Sequence, residues 1–365
     1  ALLPIDADRY GKILVVGENA TRNLMAGGGS SELKPKDIVT PLDGLRNLYG
    51  DKIEYTQGYM SGRPMYGHAD VIAPEVTDSL RAKAVEMARE AGLVIFVGGL
   101  NKNHFQDCEG GDRQEYGLPF GQPALIDELA AVNPNLVVVL LSGNAVEMPW
   151  EKKVPAIVQG WYLGSMAGKS IANVLSGKVN PSGKLPFSFP ARLEDNGAHH
   201  FGAISYPGDS IRQEYLEDVL VGYRWHDTKK IPALYPFGHG LSYTSFTYGK
   251  PVASAKTIGE GETLTITIPV KNTGSREGKE TVQLYIGDDE ASVLRPVKEL
   301  KGFDKITLAP GAEQTVTFTV TGDDLKFYDP ASSSWIAEPG RFKAYIGSSS
   351  TDIRATIPFE LKKQT

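Results

Sequence analysis

The hydrophobic pattern of the chain changes its period once, near residue 245, and that change requires two folding units of different class. Before it, short apolar runs rich in β-branched residues alternate with amphipathic helical windows, as in strand–helix–strand units on a parallel sheet. After it, only strand-period segments remain.

In the first part, runs at 12–17 (KILVVG), 52–55, 93–97, 136–141 (LVVVLL) and 156–158 read as strands, the longest of them apolar enough to be buried on both faces. Helices are predicted at 41–49, 77–91, 123–132 and 165–175. In the strongest, Leu80, Ala84, Met87 and Ala88 recur at helical spacing and Gly92 supplies the stop. Residues 1–190 are therefore expected to form an α/β sandwich on a doubly wound, mostly parallel sheet. Residues 246–365 are expected to form an all-β sandwich of immunoglobulin or fibronectin III type, with strands at 263–270, 280–286, 314–320, 341–346 and 352–359. Thr263, Thr265 and Thr267 alternate there with Leu264, Ile266 and Ile268, which marks a half-buried strand. Residues 191–245 show no clean period and read as a linker wrapping the first domain.

The balance of 41% hydrophobic and 22% charged residues is that of a globular chain, and no apolar run approaches the roughly 18 residues of a membrane-spanning helix. A net charge of -6 repels polyanions, so neither nucleic acid nor an anionic membrane is expected as a partner. The single cysteine, Cys108, excludes an intrachain disulfide framework, but a secreted protein with a large core does without one. A secreted or periplasmic location is the expectation, with Ala1 read as an internal or processed start because no charged-then-apolar leader precedes residue 12.

Cofactor and metal chemistry fail on spacing. Val16-Gly17-Glu18-Asn19 lacks the G-x-G-x-x-G turn, and Gly27-Gly28-Gly29-Ser30 has no G-K-[ST] after it. His199 and His200 are the only adjacent histidines, no H-E-x-x-H occurs, and G-x-S-x-G is missing. No cofactor and no metal are expected. What remains is the loop after the strand at 93–97, where Asp107, Glu109, Asp112 and Arg113 crowd around Gly110 and Gly111. Loops beyond the carboxyl ends of parallel strands are where ligand sites form. From composition alone, a solvated acidic loop with a local Asp112–Arg113 pair is the plainer reading.

The segment Glu109-Gly110-Gly111-Asp112-Arg113, following Gly98-Gly99-Leu100-Asn101, resembles the E-G-x-D-R type motif of family 3 glycoside hydrolases. In that family the motif lies in the α/β domain that follows the catalytic barrel. The resemblance extends in order through Leu2-Leu3-Pro4 with 12–20, 179–190, 222–225 with 235–244, 295–303 and 338–340. It implies a fibronectin type III-like second domain, Glu109 as the acid/base, and Asp112 and Arg113 as its supporting pair. A cation beside a proton donor would oppose its protonation, so Arg113 is expected to point at Asp112.

The implied activity is that of a retaining exo-β-glycosidase on terminal non-reducing β-D-glucosyl residues of a β-glucoside oligosaccharide or aryl glucoside. Its nucleophile would come from an N-terminal catalytic barrel, as a domain or a separate chain, and these residues alone should be inactive. Homodimerisation is left open. A β-xylosidase of the same family and a non-catalytic carbohydrate-binding or assembly module are the alternatives. The family's hexosaminidase branch is disfavoured, because its proton donor comes from the barrel. His104, Tyr206 and Trp225 are candidate sugar contacts, weighed against the ordinary packing of their rings.

Overall fold

Strands that are apolar on both faces need cover on both faces, and in the computed structural model two helical layers supply it. The structure describes residues 2–363 apart from Met25, Pro64 and Glu260. It divides into two units, Ala1–Val179 and Asn180–Thr365.

In the first unit, β1 (Ile13–Val16), β2 (Ile53–Thr56), β3 (Leu93–Gly99), β4 (Leu136–Leu141) and β5 (Ala156–Gln159) form one parallel sheet in the order β2-β1-β3-β4-β5. β1, β3 and β4 are buried throughout, as their unbroken apolar runs require. Alternate side chains take opposite faces. Ile13, Val15, Ile95 and Val137 join a core with Leu42 and Leu45 of α1 (Pro41–Tyr49) and Ile171 and Leu175 of α4 (Ala167–Leu175). Val16 points the other way, towards Ala84 of α2 (Pro74–Glu90) and Leu125 of α3 (Gln122–Val132).

Thr40 caps α1 through a reciprocal bond pair with Asp43, and Pro41 occupies the first turn, where its missing N–H costs nothing. α1 then crosses α4 with backbones nearly touching. A Cβ on Gly44 would lie 2.0 Å from the carbonyl oxygen of Gly168, so neither position tolerates a side chain without separating the helices.

The second unit is the expected sandwich. One sheet runs Thr257–Ile258, Ile353–Leu361, Gly340–Gly347, Gly278–Asp288, Glu299–Leu308; the other runs Glu313–Val320, Leu264–Asn272, Phe246–Tyr248. Their inner faces meet in a core built from residues such as Ile266, Ile268, Leu284, Val316 and Ile346. Sequence periodicity does not reveal the strand Glu299–Leu308. It is an edge strand, and Lys301, Asp304 and Lys305 break its apolar pattern while discouraging edge pairing.

Residues 180–245, read from the sequence as the end of the first domain and a linker wrapping it, fall within the second unit. Their backbone and side chains are bonded into the sandwich instead of following a period of their own. Val297 and Leu300 donate backbone N–H to Thr228 Oγ1 (3.0 Å) and Tyr223 Oη (2.8 Å), and Lys298 pairs with Asp227 at 2.7 Å. Lys184, 14% exposed at its side chain, reaches Glu280 Oε1 at 3.3 Å and also donates to the carbonyls of Gly240 and Ser348. Tyr248 donates to the same Glu280 oxygen, and burial followed by that negative charge pushes its phenol far above the ordinary value.

Removing one partner of such a buried pair leaves an uncompensated charge, which costs more than the pair itself contributes. Lys184→Ala is expected to destabilise the second unit by about 3 kcal/mol. Breaking the exposed Arg341–Glu290 pair by Arg341→Ala should cost under about 1 kcal/mol. Equilibrium denaturant melts of the two variants measure the difference.

Candidate active site

β1 and β3 lie side by side, yet the chain leaves β1 towards the α1/α4 layer and β3 towards the α2/α3 layer. A parallel sheet opens a crevice beyond its carboxyl ends at such a switch. The loop after β1 and the loop after β3 meet there. Gly28 donates its N–H to the Asp107 carbonyl at 2.7 Å and accepts the Glu109 N–H at 2.9 Å, giving an isolated parallel bridge between Gly28 and Cys108.

Within this loop two carboxylates, two residues apart, have opposite surroundings. Asp107 Oδ2 accepts the Gly143 N–H at 2.6 Å and the Tyr162 hydroxyl at 2.7 Å, while Oδ1 accepts from Asn144 Nδ2 at 3.1 Å. It thereby fastens the loop after β3 to the loops after β4 and β5. Burial, with the Asp107 charge beside it, pushes the Tyr162 phenol far up.

Glu109 is exposed at the loop tip. Its Oε2 accepts the backbone N–H of Ser30 at 2.6 Å. That N–H first, and the Ser30 side chain second, hold the Glu109 carboxyl below the usual glutamate range.

Arg113 departs from expectation. Its guanidinium donates to the carbonyls of Ala145 (2.8 Å), Tyr116 (2.7 Å) and Glu115 (3.2 Å), and Asp112 has no hydrogen-bond or ion-pair partner among the described residues. The reason is energetic. An exposed ion pair with Asp112 would contribute little, whereas half-buried carbonyls without donors are costly, and a five-donor fork serves several at once. Burial lowers the Arg113 pKa, with the Asp107 charge opposing it.

His104 stands on the same loop. Its N–H donates to the His68 carbonyl at 2.7 Å, and its ring lies against Phe105 and abuts Gly111. At the end of β1, Glu18 is 1% exposed and accepts from Arg22 (2.7 Å), Gln57 Nε2 (3.1 Å), and both the N–H (2.9 Å) and hydroxyl of Ser61. This carboxylate ties the loops after β1 and β2. Read from sequence only as a mismatch to a dinucleotide turn, it gave no signal of that role.

The remaining two candidates belong to the second unit. Trp225 is 2% exposed, donates Nε1–H to the Asp195 carbonyl at 3.1 Å, and packs against His200 and Phe201 at ring distances of 5.1 and 5.6 Å. Its ring has no free face for a sugar, so its role is packing. Tyr206 is 42% exposed, with its ring 4.8 Å from that of His199. The structure thus brings His104, Glu109, Asp112 and Arg113 together on one loop of the first unit, and Tyr206 and Trp225 belong to the second.

Residues 1–243 match the C-terminal domain of glycosyl hydrolase family 3, and residues 280–350 match the fibronectin type III-like domain. The chain belongs to glycosyl hydrolase family 3. This family 3 chain is 62% identical to β-glucosidase BoGH3A of Bacteroides ovatus over 360 residues, covering 99% of itself and 48% of that protein. It is 34% identical to an exo-α-(1→6)-L-arabinopyranosidase of Bifidobacterium breve, covering 99% of itself and 46% of that protein. Among solved structures, the Bifidobacterium adolescentis GH3 β-glucosidase superposes with a TM-score of 0.87 at 34% identity, over 99% of this chain and 50% of that one. The chain spans about half the length of the relatives it matches.

In this family 3 chain the loop that carries Glu109 is fastened by Asp107. Asp107→Ala removes three bonds to a charged acceptor and is expected to cost about 2 kcal/mol of stability. Amide hydrogen exchange should rise across residues 102–112 while β3 and β4 stay protected.

Proposed function

We propose that the chain is the C-terminal half of a retaining exo-β-glycosidase acting on terminal non-reducing β-D-glucosyl residues, with Glu109 as its general acid/base. One observation carries the reading. At the switch between β1 and β3, a single loop is anchored through Asp107 and Arg113, and its exposed tip carries Glu109, held through one carboxyl oxygen by Ser30 with the other uncommitted, beside an Asp112 unpaired among the described residues. A proton-transfer group needs that combination of fixed support and free reach.

Retaining hydrolysis needs a second carboxylate about 5–5.5 Å away as nucleophile. The reading takes it from the N-terminal barrel expected in the other half of the protein. Its approach would raise the Glu109 pKa, because a second negative charge disfavours ionisation, and esterification of the nucleophile would let it fall again. The group is then an acid in the first step and a base in the second. Asp112 borders the tip, and His104 offers a ring on the same loop for contact with the aglycone. Glucose as the sugar is supported by the 62% identity to a protein named a β-glucosidase.

The test pairs this chain with its N-terminal half and replaces Glu109 by Ala. Turnover of glucosides with poor leaving groups should fall by roughly 10²–10⁴-fold, while activated aryl glucosides lose far less in the glycosylation step. Equal losses on both substrates would overturn the assignment. Because Glu109 must be protonated to act first, kcat/KM should decline as pH rises through its pKa in the free enzyme.

A further inference from the structure

The motif Gly27-Gly28-Gly29-Ser30 has no place in the nucleotide chemistry that glycine-rich loops invite, yet its three glycines each press against the acid loop. A Cβ at Gly27 would lie 2.8 Å from the Asp107 carbonyl oxygen, one at Gly28 would lie 2.5 Å from that of Lys102, and one at Gly29 would lie 2.4 Å from Glu109 Cβ. Gly29 also has φ of 116°, a conformation side chains rarely adopt. Immediately after it, the Ser30 N–H that a phosphate would claim in a P-loop is bonded to Oε2 of Glu109.

We infer that residues 27–30 are a cradle for the acid/base, in which Gly29 makes room for the Glu109 side chain and the Ser30 N–H selects which carboxyl oxygen carries the proton. The inference rests on the acid/base role proposed for Glu109. Gly29 and Ser30 are positioning residues, since they act through that carboxyl.

The consequence for the reaction follows from donor and acceptor balance. Oε2 receives the Ser30 hydrogen, so the acidic proton sits on Oε1. In the first step that proton passes from Oε1 to the glycosidic oxygen as the bond to the anomeric carbon breaks and the nucleophile carboxylate forms the glycosyl ester. In the second step Oε1 takes a proton from water, whose oxygen attacks the anomeric carbon and frees the nucleophile carboxylate. Across both steps one water is consumed and Glu109 is restored, with Oε2 bonded to Ser30 throughout. A donor of this kind favours the ionised form, which suits the base half of the cycle.

The titratable groups on the surrounding loops include Glu32, Lys102, His104, Asp107, Cys108, Asp112 and Arg113, the last committed to the carbonyls of Ala145, Glu115 and Tyr116. Lys102 is ion-paired with Glu32, and Asp107 is spent on Gly143, Asn144 and Tyr162. No cation among the described residues bonds Glu109, so Ser30 holds it, through its amide first and its side chain second.

Carbon-13 NMR titration of this chain labelled in glutamate reads the grip directly. Ser30→Pro removes the amide donor together with the hydroxyl, and Ser30→Ala removes the hydroxyl alone; the Glu109 titration should move to higher pH in both and further in Ser30→Pro, and in the assembled enzyme the basic limb of kcat/KM should move the same way. Gly29→Ala places a methyl group on the Glu109 side chain and should lower turnover by roughly 100-fold, the order expected from a misplacement of about 1 Å. Added azide, which attacks the glycosyl ester without a base, should restore turnover and yield the β-glycosyl azide, as it should for Glu109→Ala.

If Ser30→Pro does not fold, Gly29→Ala read by titration and by azide rescue decides alone. A Glu109 titration unchanged in both variants, or full turnover in Gly29→Ala, would overturn the cradle. Failure of the acid/base reading looks different: Glu109→Ala itself would keep its activity on poor leaving groups, while the NMR titration would still report the Ser30 bond.

Discussion

The parallel pairing of β1 with β3 is the constraint on which the candidate site depends. Two strands distant in sequence become neighbours, with Ile13 opposite Leu93 and Val16 opposite Phe96, and their outgoing connections leave for opposite helical layers. Neither connection can cover the strand ends completely, so both loops remain over the crevice. The glycine turn at 27–29 and the acid loop are brought within one hydrogen-bonded ladder by this pairing. The apolar burial that drives the pairing is therefore also what sets the position of Glu109.

Two carboxylates in that loop illustrate how environment separates structural from chemical roles. Asp107 accepts three hydrogen bonds from three different residues and has nothing left to offer a ligand. Glu109 accepts one and keeps an oxygen free at an exposed tip. Arg113, whose charge would work against a neighbouring proton donor, is committed to three carbonyls. The loop is hydrogen-bonded at its base and exposed at its end, an arrangement that suits the proton-transfer role proposed for Glu109.

In the second unit the same economy appears without a site. Residues 180–245 contain little regular structure, and their order comes from buried or half-buried polar bonds to the sandwich, chiefly through Lys184, Asp227 and Tyr223. Breaking one such bond costs more than breaking a surface pair, because it leaves a charge or a donor in a place water reaches poorly. Trp225 takes part in this packing, which explains why a conspicuous aromatic residue near the family motif offers no surface to a sugar.

The sequence by itself determined the two fold classes, since strand and helix periods are local properties that survive in a one-dimensional pattern. It also determined that Glu109 sits in a loop after a buried strand, and the ordered motifs around it identified the family. Tertiary structure alone decided what holds that loop. The bonds from Gly28, Ser30, Gly143 and Tyr162 to residues 107–109 join positions 36 to 81 residues apart, and no periodicity encodes them. The orientation of Arg113 and the burial of Trp225 were decided the same way, because which polar group wins a donor, and which ring face meets solvent, depends on neighbours that only the folded chain supplies.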